Sequence, residues 1–146
     1  MNKSAIISGL AGAAVLTVIH EIVKKEDSKA PRMDLLGMMA LSKMIRAIGK
    51  NPPSRKQLYA YTLIGDLLSN ALYYSLAGAG KKKRVLQKEI ALGLAAGLGA
   101  LFLPKPLHLN ESYSNRTTKT QVMTVAYYLI GSLVAGALMK QLDKNA

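Results

Sequence analysis

A chain of 146 residues with no cysteine and a formal charge of +12 has room for one domain, and it excludes disulfides, thiolate metal sites and cysteine nucleophiles. Its 20 Lys and Arg outnumber 8 Asp and Glu, but no aromatic and basic interleaving or nucleic-acid motif accompanies them, so nucleic acid is not an expected partner. A mean hydropathy of +0.16 would suit a soluble helical domain, yet charge nearly vanishes over 4–19, 58–80, 90–103 and 121–139 and crowds between those runs, the pattern of an all-α integral membrane helical bundle.

The first apolar run, about 4–23, follows Lys3 and continues past the small residues Ala11, Gly12 and Ala13, which favours a retained span over a cleaved signal peptide. His20 and Glu21 close it. Residues 24–32 form a charged linker ending near Pro31. Asp34 is then placed to cap a helix over about 34–48, with Lys43, Arg46 and Lys50 on one face and Leu35, Met38, Leu41, Ile45 and Ile48 on another. Two cations in so short a helix suit the headgroup boundary, and an amphipathic interfacial helix is expected; a tilted or re-entrant segment is the alternative. Asn51, Pro52 and Pro53 stop it.

The second span is expected over about 57–79, and Lys81–Arg84 forms a basic turn at a membrane surface. The third, about 85–103, starts with Gln87, Lys88 and Glu89 and carries Gly93 and Gly97 in a GxxxG pattern, so it is expected at the centre of the bundle with Glu89 paired to nearby basic residues. Pro104 and Pro106 end it. A polar loop with Asn-x-Ser/Thr triplets at Asn110 and Asn115 precedes the last span, about 121–139. For four spans, Lys and Arg number twelve on the side of the first loop and eight on the other, with the dense basic turn on the poorer side, so orientation is left undecided.

Asp66 is the anomaly. A carboxylate in the middle of an apolar run costs at least about 2.5 kcal/mol on insertion scales, so it should face other helices or a wet cavity. Thr62, Asp66, Asn70 and Tyr73 recur at helical spacing on one face, and Thr124, Tyr128 and Ser132 do so on the last span. The two stripes are expected to meet as a polar intramembrane seam. His20 and Glu21 form a secondary candidate site; as neighbours on a helix they point about 100° apart and cannot chelate one metal in the i, i+4 manner. No catalytic constellation, metal-ligand spacing or cofactor motif can be assembled.

The expected function is a small multi-pass membrane protein, in the plasma or inner membrane, whose Asp66 seam passes or binds a proton, small cation or small polar solute. The alternatives are a structural or lipid-organising subunit and a membrane-embedded enzyme using His20 and Glu21. Expected partners are the bilayer, anionic headgroups drawn by the basic loops, and a second copy or another membrane protein at the glycine faces.

Overall fold

The computed structural model describes residues 3–80 and 82–145, and every regular element among them is helical. Helix α1 runs Lys3–Glu26, α2 Met33–Ala47, α3 Arg55–Ser75, α4 Val85–Phe102, α5 Ser112–Asn115 and α6 Thr118–Lys144. Single 3-10 turns follow α3 and precede α4, at Leu76–Gly78 and Lys82–Arg84; Lys81 of the basic turn lies outside the described residues.

Local chemistry sets the boundaries. Ser54 and Gln57 form a reciprocal capping box at the start of α3, and the Thr117 side chain accepts from the Thr120 amide at the start of α6. Gly49, at φ 76°, turns the chain out of α2 ahead of the two prolines. Asp34 does not cap α2 as expected. The helix begins one residue earlier, and Asp34 spends its carboxylate on Arg32 and Lys24 instead.

Four long helices lie side by side in the order α3, α1, α6, α4, each antiparallel to its neighbour. Glycines let the backbones close. A Cβ on Gly12 of α1 would fall 2.4 Å from the Gly131 carbonyl of α6, and one on Gly93 of α4 would fall 2.1 Å from Ser132 Oγ. The third run is therefore not central: α4 sits at an edge and packs closely on α6 alone, while α1 and α6 form the middle of the row. The core between them gathers Ala13, Leu16, Ala71, Tyr74, Tyr127, Tyr128 and Ala135.

Three helices, α1, α4 and α6, are long and apolar enough to cross a membrane. Four were expected, and α3 is the exception. It ends at Ser75 rather than 79, and Arg55, Lys56, Gln57, Asp66, Ser69 and Asn70 lower its hydropathy. Gly65, in the middle of α3, has open space where a side chain would be. Gly65→Ala should accordingly stabilise the protein by about 0.5–1 kcal/mol through helix propensity, read as a raised melting temperature in detergent.

Candidate functional site

The row of helices leaves a gap. α3 and α4 meet only near the 76–84 turn, where Tyr73 Oη donates to the Leu92 carbonyl at 3.0 Å and Lys88 Nζ reaches the Ala77 carbonyl at 3.3 Å. Farther along they diverge, and a groove of about 540 Å³ opens between them. Its α3 wall carries Asp66, Ser69, Asn70 and Tyr73; its α4 wall is Ala95, Ala96, Gly99, Ala100 and Leu103; Tyr128 of α6 forms part of the floor. Helix α2 closes one end through Met33, Leu36, Gly37 and Ala40, and Lys43 at its far side donates to the Leu107 carbonyl at 2.6 Å.

Asp66 and Asn70, one helical turn apart, act as a unit. Asn70 Nδ2 donates to Asp66 Oδ1 and to the Asp66 carbonyl, both at 3.0 Å. This consumes the amide donor and leaves Asp66 Oδ2 and Asn70 Oδ1 as acceptors in an otherwise apolar groove. The pair is suited to receive a donor, such as an ammonium or a hydroxyl.

The expected seam is assembled in part. Asp66, Asn70, Tyr73 and Tyr128 share the groove. Thr62 lies outside the groove: its methyl is turned to α2, 2.4 Å from where a Cβ on Gly37 would be, and it borders a separate small cavity with Asp66. Thr124 Oγ1 donates toward the Ser114 and Thr120 carbonyls at 2.9 and 2.8 Å, and Ser132 Oγ to the Leu129 carbonyl at 2.9 Å, so neither meets Asp66. Hydroxyls inside helices commonly bind their own preceding turn.

Beyond Asp66, toward the α2 end, lies a cluster of charges. Lys24 Nζ pairs with Glu21 at 2.6 Å and Asp34 at 3.3 Å, Arg32 holds Asp34 through bonds of 2.9 and 2.8 Å, and Tyr59 Oη donates to Glu21. Burial works against the Asp34 carboxylate, but the Arg32 hydrogen bond and the Lys24 charge outweigh it and hold its pKa below the ordinary aspartate value. His20 lies one residue before Glu21 and points inward, edge-on to the Tyr127 and Tyr128 rings. The secondary candidate pair therefore sits among acids and bases, close to Asp34 and Arg32. Among the described residues no group of three or more His, Cys, Asp or Glu is arranged to hold a metal ion.

Glu89 was missed. It is fully buried between α4 and α6, with its Cγ 3.0 Å from where a Cβ on Gly136 would lie, and neither carboxylate oxygen has a hydrogen-bond partner among the described residues. The signal was present in the spacing: Val85, Glu89, Gly93, Gly97 and Leu101, all buried, fall every four residues on the packed face.

No protein-family model, curated protein or solved structure matches this chain.

Proposed function

We propose that this is a small multi-pass membrane protein that binds, in the groove between α3 and α4, an amphipathic molecule from the bilayer whose amine or hydroxyl is received by Asp66 and Asn70. The observation that carries the reading is the composition of the groove: alanine, glycine and leucine walls with one carboxylate and amide pair whose free atoms are acceptors. At about 540 Å³ it falls within the range of small-molecule clefts. An apolar body would lie along Ala95, Ala96 and Ala100, and its donor group would reach Asp66 Oδ2.

In this reading α3 is the fourth crossing. Its 21 residues extend about 31 Å as a helix, it packs along α1, and its outward side presents Ile64, Leu68 and Leu72. The outward sides of α1 and α4 are likewise apolar, through Ile6, Leu10 and Val18 and through Ile90, Leu94 and Leu98. Buried polar groups with an apolar exterior suit a lipid surround. Lys and Arg at both ends of the bundle would hold anionic headgroups.

Binding of N-dansyl-1,12-diaminododecane, which carries the dye at one end and a free amine at the other, to the protein in nanodiscs tests the assignment. Saturable binding near one equivalent is expected, weakened about ten- to a hundredfold by Asp66→Asn with the fold intact. Ala95→Phe, which fills the groove from an exposed position, should abolish it. Equal affinity in all three proteins would refute the proposal. Permeation of protons or small cations is the second reading, favoured by the small cavity that continues from Asp66 toward the charged cluster. Flux in proteoliposomes above empty vesicles, lost in Asp66→Asn, would select it.

A further inference from the structure

Between the groove and the charged cluster lies a small cavity of about 20 Å³ bounded by His20, Glu21, Met33, Asp34, Thr62, Leu63 and Asp66. That volume accommodates one water, which needs roughly 10–15 Å³ and two to four polar partners. The lining supplies them. Both ring nitrogens of His20 and the Thr62 hydroxyl are buried without a hydrogen-bond partner among the described residues, and His20 is only 7% exposed. The carboxylates of Asp66, Glu21 and Asp34 border the same space. Beyond them, Asp34 and Tyr59 also line an open basin with Arg32, Arg55 and Lys56 at the α2 end of the bundle.

We infer that this cavity is a one-water site that joins Asp66 to His20 and the Glu21 and Asp34 carboxylates, giving Asp66 proton access to the aqueous phase at the α2 end. In one transfer the Asp66 carboxyl O–H bond breaks and its proton bonds to the water oxygen, while a proton of that water bonds to the lone-pair nitrogen of His20. The imidazolium so formed borders the same cavity as the Glu21 and Asp34 carboxylates, and the loss of its other N–H proton to one of them passes the proton on to the basin. The reverse steps reload Asp66.

The groups facing Asp66 are accounted for on every side. From α1 come His20 and Glu21; from α2, Asp34; from α6, Tyr128; from α3 itself, Asn70 and Tyr73; Lys24 and Arg32 stand behind the carboxylates they pair with, Tyr127 lies edge-on to His20, and the stretch of α4 that lines the groove is uncharged. At the opposite end the Tyr73 bond to Leu92 and the Lys88 bond to Ala77 draw α3 and α4 together. The relay thus has one aqueous outlet. It extends the Asp66 site and holds whether the groove takes an amphiphile or not.

The test is a pH jump on the reconstituted protein followed by time-resolved infrared difference spectroscopy. The Asp66 carboxyl band is identified as the one missing from Asp66→Asn. In the unaltered protein that band should follow the jump promptly. Thr62→Val removes a cavity donor at nearly constant volume and His20→Phe removes the acceptor, and each should slow the response about tenfold or more. Thr62→Val guards against a His20 variant that fails to fold. Equal rates in the unaltered protein and Thr62→Val, or a carboxyl band at Asp66 that does not respond to pH, would overturn the relay. Binding of the dansylated diaminododecane, measured on the same samples, separates its failure from that of the groove assignment.

Discussion

Gly12→Leu should leave the protein unable to reach its folded state. The first added atom would already sit 2.4 Å from the Gly131 carbonyl oxygen, 2.8 Å from Ala135 Cβ and 3.2 Å from the Tyr74 ring. Two of these belong to α6, so relief requires moving one helix backbone off another rather than turning a side chain. That motion would pull apart the core around Leu16, Tyr74 and Tyr128 and break the 2.9 Å bond from Tyr74 Oη to the Tyr128 carbonyl. Overpacking a close-fitted core costs about 1–3 kcal/mol per site and more where backbone must move, against a total stability of about 5–15 kcal/mol. The check is yield of monodisperse protein in mild detergent together with its melting temperature. Gly65→Leu, at an open position, should fold in parental yield and melt no lower than the parent.

Asp34→Ala should release α2 from the bundle. Asp34 is 8% exposed and takes both Lys24, 12% exposed, and Arg32, 37% exposed. Removing it leaves the largely buried Lys24 with Glu21 as its one remaining carboxylate, beside the neutral Tyr59 hydroxyl. Breaking a buried pair costs about 3–5 kcal/mol, and the partial exposure of Arg32 reduces the expected loss here to about 2 kcal/mol. Protease cleavage within 27–54 should rise and the melting temperature should fall by several degrees. The parent carries a matching acid sensitivity. Because the folded-state pKa of Asp34 is held below its ordinary value, its contribution is fully present above about pH 4, the unfolded aspartate range, and is lost as pH falls through the lower folded value. In that acid window the stability of Asp34→Ala should vary less with pH than that of the parent.

The runs that became α1, α4 and α6 were legible because each is apolar for most of its length, and they differ from expectation only at the ends, where the helices continue into charged residues such as Lys24, Glu26 and Lys140. Composition could not say which runs would be neighbours. Gly93 and Gly97 signal a close approach, and the structure directs it at Val125, Leu129 and Ser132 of one helix at an edge of the row, a choice that depends on α1 having taken the other side of α6. The pairing of Asp66 with Asn70 followed from a spacing of four. That Thr124 and Ser132 would turn to their own carbonyls did not, because periodicity assigns a residue to a face but not a hydroxyl to an acceptor. Asp34 looked like a cap for the same reason: Lys24 is ten residues away in the chain and 3.3 Å away in space.

The 2.6 Å bond from Ser4 Oγ to Asp143 brings the two extremities of the described chain side by side. A linker of a few residues should therefore join residue 143 to residue 4 without strain, and new ends could be opened at Lys50 and Asn51, where the backbone has left α2 and is exposed. Such a circular permutant, with α3 first in the chain, should still refold the same row of helices. Two halves of a split reporter fused to the original extremities should complement within a single molecule.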